Sequence, residues 1–492
     1  MLIDLPKLLN FFHIDPKGVI DVGSHQGQRL ELYQQMQFKS VLAFEASRSN
    51  FEILKSKANS SVTAVNKALG HVTDVCSLNV ASNDGISSSV LKPKVHLEQY
   101  PDVKFDRTEK VQMTTLDLWN EEHKSSEQRN VMFLDVQGFE FEVLLGAQKT
   151  LNNVECVVCK ISRSDLFENC SQATEIDLFL RTYGFRRIFT TWAGGTWGIG
   201  CYVLENFITK AGVQVMSAGL VDVNFSHSEA ERGYDSACML PTARFNWERN
   251  IRNVILDEQI DFVVFTDNTI ENVNLLKGKK KVAWIIEPRE INPDLIQRIK
   301  LIADQFDAVI THDKQLISSI SNGHYASVAC SWIKPQDWYV HDKTKLVSII
   351  ASSKTFASGH KLRHEAARLI DESDRFGSAY RKIEDKIQAL GPYKFSIVIE
   401  NCKQDGFFTE KLIDSLIVGA IPIYWGCSDI SEYFDPRGII QFESLEQLDE
   451  ILKIDLDSFY NERKDYVQSN AVIARRYASC DETIINKIVG VQ

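Results

Sequence analysis

Short apolar runs, each closed by an acid, a glycine or a proline and followed by apolar positions at helical spacing, recur along this chain. Residues 18–22 of "KGVIDVGSHQGQRLELYQQM" read as a buried strand, then a glycine-bearing turn, then a helix. "SVLAFEASRSNFEIL" repeats the pattern with its strand ending at Glu45. "NVMFLDVQGFEFEVLLGAQKTL" does so again, ending at Asp135 and Gly138 before Phe139, Val143 and Ala147 at spacings of four. Periodicity lapses between about 205 and 220. From 260 the strands "DFVVFT", "KVAWIIEP" and "DAVITHD" alternate with helical stretches such as "PDLIQRIKLIADQ", and "KLVSIIASS", "KFSIVIE" and "AIPIYWG" form a further set. Strands alternating with helices predict parallel sheets with crossover helices, an α/β fold. The expected division is 1–206, 215–340 and 341–492, the last with a C-terminal helical tail.

Composition narrows what these units do. At 492 residues the chain exceeds one core, and at roughly 150 residues per unit it holds about three. Hydrophobic residues at 44% and charged residues at 25% are ordinary globular usage, and no apolar run approaches the roughly 20 residues that span a bilayer. "MLIDLPKLLNFFHIDPKG" reads as a helix leading into the first unit and lacks the features of an export leader. A net charge of -11 argues against a nucleic-acid binder. The ten cysteines are scattered, and the Cys156 to Cys159 pair lies in a β-branched run without a second pair to complete a zinc site, so they read as reduced buried thiols of a cytoplasmic protein.

In the first unit, Gly23 and Gly27 allow a ligand to approach the backbone over the end of the first strand. Glu45 stands about twenty residues on, where an acid can accept from both ribose hydroxyls of a nucleoside. Through "DVGSHQGQ", "AFEASRSNFEIL", "NKALG", "NDGISSSVL", "TTLD" and "LDVQGFEFEVLLGA", residues 18 to about 204 resemble the FkbM family of S-adenosylmethionine-dependent O-methyltransferases. The resemblance implies a Rossmann-like class I methyltransferase with Asp21, Gly23 and Gly27 around the methionine part of the cofactor, Glu45 on its ribose and Asp84 on the adenine side. Methyl transfer to a sugar hydroxyl needs alignment and a base, for which Asp135 and His96 are the candidates. The serines of "ISSSV" either cap a loop or contact acceptor sugar. Gln137 stands where many relatives carry glutamate, which excludes a catalytic carboxylate there.

In the last unit, "FSIVIENCKQDGFFTEKLIDSLIVGAIPIYWG" resembles the most specific segment of the α-1,3/1,4-fucosyltransferases, with Phe407 in place of the usual tyrosine and Ile399 in place of phenylalanine. The resemblance implies the GT-B architecture, two Rossmann-like halves facing across a cleft. A departing diphosphate needs fixed positive groups, and the helix beginning near Thr409 supplies backbone N–H groups while Lys411 adds a full charge. Glu410 and Asn401 can bind sugar or ribose hydroxyls, and Phe407 lines the donor site. Arg363 matches the family's phosphate-binding arginine, and Glu287 in "KVAWIIEPREI" its proton-accepting glutamate, with Glu290 in reserve. His360 and His364 are four apart but lack a glutamate at zincin spacing, so no metal is expected. "KGKKK" at 277–281 reads as a solvated turn, and "DLD" at 455–457 lies too far from a donor strand to serve as a DxD motif.

The expected protein is a bifunctional glycan-modifying enzyme. It would O-methylate a sugar hydroxyl with S-adenosylmethionine and transfer a deoxyhexose, with inversion, from a GDP-sugar, GDP-L-fucose foremost, to a glycan acceptor. No nucleic-acid partner and no integral membrane segment are expected. The alternatives are a single-activity glycosyltransferase with a non-catalytic methyltransferase-like domain, and a glycan-binding protein. Retained Glu45, Asp135, Glu287, Arg363 and Lys411 count against the last.

Overall fold

Strand β1 (Gly18–Val22) is buried at every position, and both of its neighbours in the sheet run parallel to it. A strand covered on both faces has no polar side to show, which is why its sequence reads as a run and not as an alternation. The computed structural model describes residues 3–123, 127–193, 195–213, 217–221, 246–248, 260–275 and 278–479. Two units, Met1–Gln214 and Val215–Gln492, make up the chain. Residues 214–216, where the expected second unit begins, and Lys277 of the basic run lie outside the described residues.

In the first unit β1 is joined by β2 (Ser40–Phe44), β3 (Val62–Val65), β4 (Val131–Leu134), β5 (Cys156–Ser162), β6 (Phe185–Ala193) and β7 (Trp197–Leu204), in the order β3-β2-β1-β4-β5-β7-β6. Strand β7 runs antiparallel to both of its neighbours, β5 and β6, and the other pairs of this sheet are parallel. The chain builds outward from β1 on one side, then returns to place β4 on the other. Such a switch point opens a crevice outside the carboxyl ends of the strands. A three-stranded sheet of Ala68–Leu69, Asp74–Val80 and Arg107–Thr114 packs its own core of Leu78, Val111 and Met113 against Phe139 and Ala46, beside those ends.

The second unit holds two parallel sheets. Strands β8 (Ser217–Val221), β9 (Asn246–Glu248), β10 (Ile260–Thr266), β11 (Lys280–Ile285), β12 (Ala308–Thr311) and β13 (Gly323–Tyr325) run in the order β9-β8-β10-β11-β12-β13. Val263, Phe265, Ile285 and Val309 pack there against Leu295, Ile299 and Phe306. Strands β14 (Lys345–Ile350), β15 (Arg375–Phe376), β16 (Tyr393–Ile399), β17 (Ile421–Trp425) and β18 (Ile440–Gln441) run in the order β15-β14-β16-β17-β18. Here the switch point lies between β14 and β16, and its crevice opens toward residues 350–354 and 399–401.

Polar ties join the two sheets of this unit. Arg289 N–H donates to Gln404 Oε1 at 3.2 Å, Lys314 pairs with Asp429 at 2.6 Å and Glu432 at 2.7 Å, and Glu290 accepts from Ser358 N–H at 2.8 Å and its hydroxyl at 2.9 Å. Glu290, the reserve base, is thereby taken up as a strut. The "DLD" acids are structural too, since Asp455 caps the helix Leu456–Asn461 and Asp457 pairs with Lys394. Among the described residues no helix is long and apolar enough to cross a membrane.

Candidate active sites

Glu45, directly after β2, is only 8% exposed and forms part of a cavity of about 250 Å³ that also includes Gly23, Leu78, Asp135, Gln137 and Phe139. Its carboxylate accepts from His25 N–H and Ser47 N–H, both at 2.8 Å. Burial pushes the carboxyl up and these donors pull it back, leaving it above the usual range. Gly23, at φ +76°, turns the chain away from β1, and a Cβ there would lie 2.1 Å from the Asp135 carbonyl oxygen. A side chain at 23 would push the ends of β1 and β4 apart.

A second cavity of about 330 Å³ adjoins the first and shares Arg29, Ile86, Asp135 and Gln137 with it. Asp135 therefore stands in the wall shared by two adjoining spaces. His96 lies in the second space and not the first. It is packed by Tyr100, Phe105 and Phe167, its Nδ1 has no hydrogen-bond partner, and burial followed by the Lys160 charge holds it neutral.

Three expected cofactor contacts sit elsewhere. The Asp21 carboxylate, 1% exposed, receives Arg29 at 2.7 and 3.1 Å and the Tyr33 hydroxyl at 3.2 Å, so it braces the turn from beneath. A Cβ on Gly27 would meet Leu30 at 2.9 Å and Leu54 at 3.0 Å, so that glycine serves helix packing. Asp84 contributes its carbonyl, which accepts from His25 Nε2 at 2.7 Å and Asn50 at 3.2 Å, while Gly85 and Ile86 form the cavity wall. Ser88 accepts from Ala81 N–H at 3.0 Å and Ser89 donates to the Gln137 carbonyl at 2.9 Å, so both serines brace their loop while also lining the first cavity. A larger cavity of about 680 Å³, with Lys17, Arg129 and Asn130 in its wall, opens at the amino ends of β1 and β4, away from the switch point.

The first cavity fits S-adenosylmethionine by its donor set. Glu45 gives it a buried carboxylate that suits ribose hydroxyls, Leu78 and Phe139 an apolar side that suits a purine, and Arg29, paired with Asp21, a cation in the wall. Glu45→Ala is expected to weaken S-adenosylmethionine binding by about tenfold or more, as when a charged hydrogen-bond partner is lost, and to leave sugar transfer nearly intact. Calorimetry and a transfer assay on one preparation check it, and loss of both activities in a folded variant would contradict two separate sites.

In the second unit a cavity of about 600 Å³ is bounded by Glu287, Arg363, Asn401, Phe407, Glu410 and Lys411. The helix Glu410–Ile417 starts here because Thr409 caps it and because Glu400, fully buried, accepts Thr409 N–H at 2.8 Å and its hydroxyl at 2.7 Å. Lys411 Nζ lies 3.0 Å from Thr409 Oγ1, 3.1 Å from Glu410 and 3.6 Å from Glu400. Burial pushes the Glu410 carboxyl up, but Lys411 and Lys386 outweigh it and hold it at about 2. Arg363 projects from the helix Ser358–Ala367 and donates to the Ile399 carbonyl at 2.6 Å, with Asn401 Oδ1 at 3.4 Å. That helix comes so near the end of β16 that a Cβ on Gly359 would lie 1.8 Å from the Glu400 carbonyl oxygen.

Glu287 faces this cationic group from the other sheet. Its backbone is fixed by Asp267, whose Oδ1 accepts Ile286 N–H at 2.8 Å and Glu287 N–H at 3.3 Å. Burial raises its carboxyl above the usual range, against the pull of Lys411 and Lys354. His360 is a cap, accepting Ala357 N–H at 3.2 Å, while His364 turns to Tyr380, so the two form no metal pair.

Sequence reasoning missed Lys386, which lines the same cavity with its ammonium 2.7 Å from Asp414 and 4.3 Å from the Trp332 ring centre. It lies in a charged, turn-rich stretch with no periodic signature. Phe407 is buried against His312 at 4.9 Å, and burial drives His312 down to about 4 with neither ring nitrogen hydrogen-bonded. The unfolded chain binds a proton near 6.5 that the folded one refuses. Stability of this unit should therefore be full above 6.5 and fall as pH drops toward about 4, which thermal melting against pH checks and His312→Phe should flatten.

A switch-point crevice with a buried carboxylate, followed in the chain by two parallel sheets around a cation-lined cleft, defines a Rossmann-like methyltransferase unit followed by a GT-B glycosyltransferase unit. Residues 21–187 match the methyltransferase FkbM domain, and residues 340–471 match the C-terminal part of glycosyltransferase family 10, the fucosyltransferases. The chain thus carries an FkbM methyltransferase domain and a family 10 fucosyltransferase domain. It is 33% identical over 70 residues to the alpha-(1,3)-fucosyltransferase FucT of Helicobacter pylori, covering 14% of this chain and 15% of that protein. It is 34% identical over 83 residues to the 2-O-methyltransferase NoeI of Sinorhizobium fredii, covering 17% of this chain and 34% of that one. These matches thus span about a third or less of the relatives' own length. A crystal structure of an alpha1,3-fucosyltransferase with GDP-fucose aligns at 16% identity and a TM-score of 0.34, over 52% of this chain and 82% of that one.

Proposed function

We propose that the chain is a bifunctional glycan-modifying enzyme of the cytoplasm, which O-methylates a sugar hydroxyl and transfers L-fucose, with inversion, from GDP-fucose to a glycan acceptor. The reading rests on the placement of one carboxylate in each unit against the space it must serve: Asp135 between two adjoining cavities, and Glu287 across a cavity from Lys411 and Arg363.

In the first unit Glu45 would hold the ribose of S-adenosylmethionine, which supplies a methyl group on a sulfonium. Asp135 would take the acceptor proton, with His96, neutral and facing the same space, as the second proton acceptor. In the second unit Glu287 would remove the acceptor hydroxyl proton as the sugar–phosphate bond breaks, and the bonding electrons would leave with GDP. Lys411, Arg363 and the N–H groups of the helix after Thr409 would stabilise that diphosphate without having to reorganise. Glu410, kept ionised, and Asn401 would accept and orient ribose or sugar hydroxyls, and Phe407 would close the cavity floor.

The test is release of S-adenosylhomocysteine and of GDP by one preparation given both donors and an array of glycan acceptors, with the products weighed by mass spectrometry. Release of GDP alone would reduce the first unit to a binding role. Release of neither would overturn the reading.

A further inference from the structure

Lys160 is a buried cation that no step above uses. It sits within β5, where all seven residues are buried, and its ammonium reaches the 330 Å³ acceptor-side cavity. Its Nζ donates to Gln137 Oε1 at 2.5 Å, lies 3.8 Å from Asp135 Oδ1 and stands 4.3 Å from the centre of the Trp197 ring. An ammonium has three N–H donors, and burying one is costly unless each finds a partner. The protein supplies one hydrogen bond, a carboxylate beyond hydrogen-bond distance and a ring face.

Gln137 explains the arrangement. Its amide N–H donates to Asp135 at 3.0 Å while its carbonyl accepts from Lys160, so one side chain grips both charges. It does so from a left-handed backbone, φ +56°, which a residue other than glycine adopts at a cost. A glutamate at 137 would pair with Lys160 and repel Asp135, whereas the amide keeps anion and cation side by side with hydrogen-bonding capacity left on both. The wall around them is aromatic, and Trp197 Nε1 donates to the Tyr100 hydroxyl at 2.8 Å to hold it in place.

A ligand for such a pair gives a proton to the carboxylate through one oxygen and accepts one from the ammonium through the next. Neighbouring hydroxyls on a sugar ring do both, and the ring's C–H face suits the aromatic wall. An amine in either place would be repelled by Lys160. We propose that Asp135 and Lys160, held apart by Gln137, recognise a vicinal pair of sugar hydroxyls, Asp135 taking the one to be methylated and Lys160 its neighbour. This rests on the methyltransferase reading above.

The test uses the full chain with S-adenosylhomocysteine bound. Calorimetry compares methyl α-L-fucopyranoside, with three contiguous hydroxyls, and its 3-deoxy analogue, in which no two free hydroxyls are adjacent. The parent sugar should bind about tenfold to a hundredfold more tightly, the range for a hydrogen bond to a charged group. Lys160→Met, which keeps length and burial but removes the charge, should bring that ratio close to one while still binding S-adenosylhomocysteine. Equal binding of the two sugars, no binding of either, or a preference that survives in Lys160→Met would overturn the proposal. The wild-type comparison needs no variant, so it stands even if Lys160→Met does not fold. Failure to bind S-adenosylhomocysteine would instead defeat the methyltransferase reading, and the proposal with it.

Discussion

Glu287→Gln is expected to bind GDP as the parent chain does and to transfer sugar two to four orders of magnitude more slowly, about the contribution of a general base. The amide keeps the shape of the side chain, and the two N–H bonds to Asp267 that fix its backbone are untouched. What it loses is the ability to accept a proton. Burial raises this carboxyl, so the wild-type rate should fall with acid at a pH above the ordinary glutamate range, and the variant should lose that limb. Product NMR completes the test. One base and one displacement give the inverted anomer, and retention would sink the assignment. A near wild-type rate would require another base, and Glu290, engaged with Ser358, is poorly placed to serve.

Lys411→Ala and Arg363→Ala should each lower GDP-sugar turnover by a factor on the order of a hundred or more, as when a preorganised charge-stabilising contact is removed. Methylation of a free acceptor should survive in both. Lys411 also faces the buried Glu400 at 3.6 Å, so its removal leaves that carboxylate with less compensation. Thermal melting of each variant separates lost stability from lost chemistry. Unchanged GDP release in either would mean that the diphosphate is held elsewhere.

The positions of these groups were legible in the sequence to different depths. Strand ends were, because a doubly covered parallel strand is an apolar run and the acid that closes it lies at the sheet's carboxyl edge. That logic locates Glu45, Asp135 and Glu287 without coordinates. Where a side chain turns was not legible. Asp21 is inside β1 and spends its carboxylate on Arg29, eight residues away, a choice made by the packing beneath the turn. Lys160 was hidden because the run "CVVCKIS" reads as core and its partner Gln137 comes from another strand's end. Glu400 was hidden for the same reason, its partner Thr409 lying across a loop.

That last contact has a consequence for how such an enzyme can change. Because Glu400 ties the end of β16 directly to the start of the helix Glu410–Ile417, these two ends are fixed to each other without relying on the loop that joins them in the chain. Residues 401–408 carry duties of their own, Gln404 in the tie to Arg289 and Asn401 and Phe407 in the cavity wall, so this region can change only where a side chain serves neither, while the helix start keeps its place through a side chain no solvent reaches.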